Sequence, residues 1–129
     1  MASLYLDTSA VGRVLLREPG HTVTAATIQG FEHHIASQLM RVELRRLGLR
    51  TGLLAAADEL LTGIAIVPLD ADLLSAAEGL PPADVATLDA LHLATAVRLA
   101  ADGELDALMT YDRRLGAGAR AHGLTVVAP

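Results

Sequence analysis

The sequence predicts an α/β protein in which a mostly parallel central sheet is covered by helices. Three observations carry that expectation. Short apolar runs rich in strand formers recur along the chain, each too short for a buried helix. Segments of helical periodicity separate them, the alternation that builds crossover units. The runs at 4–6, 64–67 and 107–109 are apolar at every position, as strands buried on both faces require.

Taken in order, Leu4-Tyr5-Leu6 is the first strand, and Asp7-Thr8-Ser9 offers capping side chains for a helix carrying Val11, Val14 and Leu15. Pro19-Gly20 ends it. A weaker helix follows over 22–30, and a short strand lies near His34-Ile35-Ala36. Ser37 caps the next helix, where Leu39, Val42, Leu47 and Leu49 alternate with Arg41, Arg45, Arg46 and Arg50 until Gly52 interrupts. A helix over 53–61 leads through Gly63 into the strand Ile64-Ala65-Ile66-Val67, closed by Pro68. Asp70 or Asp72 caps a helix through about Glu78. Pro81-Pro82 then breaks the chain before a long helix over 88–100, expected to be central and buried because nearly every face is apolar. Ala107-Leu108-Met109 is a buried strand, a short helix follows Asp112, and Leu124-Thr125-Val126-Val127 closes the sheet.

A length of 129 residues suits one domain spanning 1–129. The chain has no cysteine, which excludes disulfides and thiolate metal sites and makes a reducing cytoplasm its natural compartment. No basic n-region precedes Asp7, which interrupts the first apolar run, and no stretch approaches the roughly 18 apolar residues of a membrane span. The net charge is -5, with ten Arg and no Lys. P-loop nucleotide hydrolysis needs a lysine on the phosphates and is excluded. Phosphoaspartate receivers and aspartyl-phosphate phosphatases also rely on one and are disfavoured. Aromatics are 2 % of the chain (Tyr5, Phe31, Tyr111), too few for base-stacking platforms. The acidic balance argues against a simple basic nucleic-acid surface, unless bound cations outweigh the local carboxylates.

Four carboxylates stand out. In a parallel sheet, sites form outside the carboxyl ends of the strands. Two strands end there on an acid: Leu6 runs into Asp7, and Met109 through Thr110-Tyr111 into Asp112. Either residue also suits an ordinary helix cap. Asp89 opens the apolar helix, where a buried carboxylate must be paired, protonated or metal-bound, with partial compensation from the helix dipole. Glu43, flanked by Arg41, Arg45 and Arg46, is accounted for by ion pairs on a solvated helix face. Gathered at one edge, the four would repel one another unless a cation neutralised them. Oxygen-only ligands favour Mg²⁺ or Mn²⁺, whereas the scattered histidines give no zinc spacing. Such a site suits phosphodiester hydrolysis.

With these residues in place, the sequence resembles the PIN-domain ribonucleases, and most closely their VapC-type toxins. The resemblance runs through Tyr5-Leu6-Asp7-Thr8-Ser9-Ala10, then Ser37 to Glu43-Leu44, then Leu88-Asp89-Ala90-Leu91-His92-Leu93-Ala94-Thr95-Ala96, then Met109-Thr110-Tyr111-Asp112-Arg113-Arg114-Leu115. It implies an α/β/α sandwich, homodimerisation, Mg²⁺-dependent endoribonuclease activity and inhibition by a cognate antitoxin. By the same resemblance Asp7, Glu43, Asp89 and Asp112 hold the metal directly or through water. Thr8, Ser9 and Thr110 support them, and Arg113 and Arg114 are candidates for RNA contact, with a solvated surface as the plain alternative. His92 is expected to pack in the core rather than act as a base. The apolar face of the early helices is expected to meet the antitoxin. Within the fold, an RNA-processing nuclease without an antitoxin, or a catalytically idle binding module, are the alternatives.

Overall fold

The computed structural model describes residues 2–129. The elements follow in the order β1 (Ser3–Leu6), α1 (Thr8–Leu15), α2 (His21–Gln29), β2 (His33–Ser37), α3 (Gln38–Thr51), α4 (Leu54–Leu61) and β3 (Ala65–Val67). The second half adds α5 (Ala71–Gly79), α6 (Thr87–Ala101), β4 (Ala107–Met109), α7 (Arg113–Ala121) and β5 (Val126–Val127). The strands form one sheet in the order β3-β2-β1-β4-β5, parallel at every pairing. The expected parallel α/β architecture is therefore present. Two outer strands are shorter than the sequence suggests: β3 starts at Ala65 and β5 at Val126.

Strand β1 is the centre of the molecule because all four of its residues are buried. Successive side chains on a strand point to opposite faces, which sends Leu4 and Leu6 one way and Tyr5 the other. Leu4 and Leu6 pack with Met40, Leu44 and Met109 in a core that also takes Val11 and Leu15 of α1. Tyr5 joins Leu108, Leu93, Leu99 and Leu115 in a second core, beneath α6 and α7. Burying each of these large side chains contributes roughly 1.5–3 kcal/mol, so the continuous apolar run fixes β1 between two helical layers.

Local signals set the helix boundaries. Asp7, Ser37, Asp70 and Asp112 are the N-caps of α1, α3, α5 and α7, each side chain accepting a backbone N–H of the first turn. Helix α3 stops at Gly52, whose left-handed φ of 73° suits glycine.

One expectation needs correction. Helix α6 was expected to be buried along its length, but Leu88 is 50 % exposed and Asp89 only half-buried. Burial begins at Ala90. The reason is topological: α6 carries the chain back to the start of β4, so its first turn stands out at the carboxyl edge of the sheet.

Candidate active site

The strand order puts β1 at the start of both halves of the sheet. The chain runs outward through β2 and β3, then crosses to β4 and β5 on the other side. The switch point therefore lies between β1 and β4, where a parallel sheet opens a crevice at its carboxyl edge. Leu6 is in register with Met109, so Asp7 and Thr110 are the first residues past the paired strands. The Asp7 N–H still reaches the Met109 carbonyl at 3.4 Å.

Asp7 is 3 % exposed and densely hydrogen-bonded. Its Oδ1 accepts from the Ala10 N–H at 3.0 Å, and its Oδ2 from the Thr110 hydroxyl at 2.6 Å. The Ser9 hydroxyl lies 2.7 and 2.9 Å from the two oxygens. Three hydrogens thus serve a group with about four acceptor positions, leaving room for one more electrophile. Burial pushes the Asp7 carboxyl above the ordinary aspartate range, against the opposing pull of Thr110, Ser9, the Ala10 N–H and the nearby His92.

Thr110 and Ser9 extend this network to the fourth carboxylate. Thr110 Oγ1 accepts from the Asp112 N–H at 3.0 Å, and Ser9 Oγ accepts from the Tyr111 N–H at 2.9 Å. Asp112 in turn caps α7, its Oδ1 accepting from the Leu115 N–H at 2.8 Å. The turn after β4 is therefore tied to the turn after β1 by side chains that also orient Asp7.

Glu43, in the second turn of α3, accepts from the Thr8 hydroxyl at 2.7 Å, and its Oε1 lies 3.1 Å from His92 Nε2. Burial raises its carboxyl, but the bonds from His92 and Thr8 and the attraction of His92 outweigh it and lower it below the ordinary range. Behind it, His92 Nδ1 meets the Tyr5 hydroxyl at 2.8 Å. The tautomer that satisfies both contacts with a neutral ring has Tyr5 donating to Nδ1 and Nε2–H donating to Glu43. His92 is buried, as a core histidine should be, yet its ring also reaches the candidate site. The Tyr5–His92–Glu43 chain joins three elements and escaped the sequence reading. Its only sequence trace is the one-turn spacing of Asp89 and His92.

Asp89 has a different environment. Partial burial raises its carboxyl first, followed by repulsion from Asp112, with smaller pushes from Asp7 and Glu43, partly offset by His92. Asp7, Glu43 and Asp112 therefore all lie within electrostatic reach of Asp89. They are not drawn into a closed cage: among the described residues, no three acidic or imidazole groups stand at metal-ligand spacing. The donor set itself is oxygen-only and mutually repulsive, which fits a hard divalent cation.

Arg113 and Arg114 are exposed at the start of α7. Arg113 lines a concavity of about 320 Å³ that also includes Thr110 and Asp112, whereas Arg114 does not. Val42 and Leu49 on α3 are 55 % and 58 % exposed beside Arg41, Arg45 and Arg46. No helix among the described residues is long and apolar enough to cross a membrane.

Known proteins resemble this chain over nearly its whole length. Ribonuclease VapC46 of Mycobacterium tuberculosis (strain ATCC 25618 / H37Rv) is 37 % identical over 131 residues, spanning 100 % of this chain and 99 % of its own. Ribonuclease VapC47 of Mycobacterium tuberculosis (strain CDC 1551 / Oshkosh) is 39 % identical over 134 residues, spanning 98 % of this chain and 96 % of its own. In fold, the chain is similar to Mycobacterium tuberculosis VapC20, described as a Sarcin-Ricin loop cleaving toxin, with a TM-score of 0.72 at 21 % identity over 98 % of this chain and 99 % of that one. A toxin–antitoxin complex from Klebsiella pneumoniae gives a TM-score of 0.74 at 17 % identity, covering 96 % and 95 % of the two chains. The PIN domain family matches residues 4–127. The chain belongs to the PIN domain family, alongside the VapC ribonucleases with which it shares more than a third of its residues.

Proposed function

We propose that the protein is a Mg²⁺-dependent endoribonuclease, with Mn²⁺ as the alternative ion, and that it is the toxin of a toxin–antitoxin pair. Asp7, Glu43, Asp89 and Asp112 would hold the cation directly or through water. The observation that carries this reading is the gathering of these acids from four elements at the switch point of a parallel sheet. Three of them press on the charge of Asp89. The relatives' name of ribonuclease supplies the substrate class. When bound, the cation supplies Lewis-acid activation of water and neutralises charge on a phosphoryl oxygen.

This chain's own residues do the positioning. Thr110, Ser9 and the Ala10 N–H hold Asp7 in one orientation, and Thr8 and His92 hold Glu43. Fixed ligands of this kind are what outer hydrogen bonds provide around a metal. The exposed Val42 and Leu49 on α3 give a cognate antitoxin an apolar surface to cover, and the protein acts as a cytoplasmic homodimer.

The test is cleavage of RNA in Mg²⁺, in Mn²⁺ and in EDTA, with Asp7→Asn and Asp89→Asn beside the wild type. Each substitution, like EDTA, should lower the rate roughly a hundredfold or more, about 3 kcal/mol of transition-state stabilisation. Wild-type cleavage in either variant would place the chemistry elsewhere. Induced expression should arrest growth, and the same substitutions should relieve it; harmless wild-type expression would sink the toxin role.

A further inference from the structure

We infer that the concavity lined by Arg13, Tyr111, Asp112, Arg113, Gly116 and Arg120 is a phosphate subsite that seats the backbone of single-stranded RNA beside the carboxylates. The inference rests on the ribonuclease reading and adds the means by which an acidic chain holds a polyanion.

The first observation is charge. The protein carries -5 overall, yet three of its ten arginines line one hollow, from α1 and from both ends of α7. Arg45 and Arg98 are paired with Asp58 and Asp70. Among the described residues, none of the three arginines of the hollow forms an ion pair with a carboxylate. Arg113 stands at the N-terminus of α7, beside the capping carboxylate of Asp112, without pairing to it.

The second observation is preorganisation. The Arg13 guanidinium lies 3.6 Å from the centroid of the Tyr111 ring. That ring is pinned by its hydroxyl, which meets Thr24 Oγ1 at 2.6 Å and donates to the Pro129 carbonyl at 3.3 Å. Arg13 spends one N–H on the Pro19 carbonyl at 3.3 Å, so four of its five donors have no partner among the described residues. A guanidinium held flat in this way suits bidentate phosphate contact.

The third observation is the floor. Glycine inside a helix is unfavourable, and α7 has two. Gly118 is explained by packing, since a Cβ there would lie 3.0 Å from Val85 Cγ2. Gly116 faces no such crowding: a Cβ would stand 3.6 Å from Thr110 Cγ2 and 3.7 Å from Arg120 Nη1. A Cβ there would also stand 3.7 Å from Val126 Cγ1, in ordinary contact with three residues that line the hollow, so glycine leaves that space to the cavity. Because Thr110 and Asp112 line the same hollow, a phosphate seated there belongs to a strand passing the candidate site.

The test is binding of a fluorescent single-stranded oligoribonucleotide by anisotropy across a salt series, on an Asp7→Asn background that prevents cleavage. Arg13→Gln and Arg120→Gln should each weaken binding roughly three- to tenfold and lower the salt slope by about 0.7 per lost phosphate contact. Arg50→Gln, exposed at the end of α3 and outside the hollow, should do neither. Unchanged affinity and slope in the double variant, or equal losses in Arg50→Gln, overturn the subsite. So does loss of binding to a polyglutamate peptide with RNA binding intact, which assigns the hollow to a protein partner. Arg120→Gln, at an exposed position, carries the test if Arg13→Gln unfolds. With the catalytic residues intact, cleavage at wild-type KM by Arg13→Gln/Arg120→Gln sinks the subsite and keeps the nuclease. A wild type that cleaves no RNA yet binds it through these arginines sinks the nuclease and keeps the subsite.

Discussion

His92 Nε2 lies 3.1 Å from Glu43 Oε1, so a buried ring in the core holds a carboxylate at the rim of the candidate site. Tyr5 secures the other side of the ring at 2.8 Å. The arrangement couples the centre of the sheet to the acid on α3.

Tyr5→Phe should therefore act on both stability and activity. It removes the hydroxyl partner of a buried imidazole nitrogen, and the unmade hydrogen bond should cost about 1–3 kcal/mol in denaturant unfolding. RNA cleavage should fall modestly through kcat, because Glu43 loses a fixed neighbour rather than its charge. The stability that Glu43 itself contributes follows from its lowered carboxyl: it is present above the unfolded pKa and lost as pH falls through the folded one. A wild-type unfolding energy in Tyr5→Phe would dissociate the ring from the packing of Glu43.

Asp89 gives the opposite sign. Its carboxyl is raised by burial and by Asp112, so the metal-free fold binds that proton more tightly than the unfolded chain does. This contribution is complete below the unfolded carboxylate range and is lost as pH rises through the folded pKa. At neutral pH, Asp89→Asn should raise the Tm of the metal-free protein by about 2–4 °C, the effect of ~0.5–1 kcal/mol after discounting for solvent screening. Adding Mg²⁺ or Mn²⁺ should raise the wild-type Tm and leave the variant nearly unmoved. Thermal melts in EDTA and in each metal check both halves, and a lower Tm for the metal-free variant contradicts the repulsion.

Thr110→Val removes a donor to Asp7 and an acceptor for the Asp112 N–H while keeping the side chain's size. Metal affinity should drop about 10–100-fold, as for other outer partners of metal ligands. Calorimetric titration with Mn²⁺ measures it; an unchanged affinity would mean that Asp7 needs no help from β4.

Much of this was legible along the chain. The elements follow from apolar runs, helical spacing and the caps Asp7, Ser37, Asp70 and Asp112, because each signal acts within a few residues of itself. The four carboxylates could be named for similar reasons: two close apolar strands, one opens an apolar helix, and Glu43 follows from family likeness. Arg13 and Arg120 carried no such mark, since a helical arginine in sequence looks like any solvated one.

What the sequence by itself determined, then, is which segments become strands and helices and which acids end or open them. The tertiary structure decided who meets whom. Strand order sets Asp7 beside Thr110 across 103 positions, and the packing of α6 on the sheet sets Tyr5 beside His92 across 87. It also leaves Asp89 half in solvent, because α6 begins at the carboxyl edge of the sheet. Local patterns fix backbone conformation through short-range sterics and hydrogen bonds. Long-range pairs arise only when burial of both sheet faces selects one order of strands, and that order brings distant side chains to a single edge.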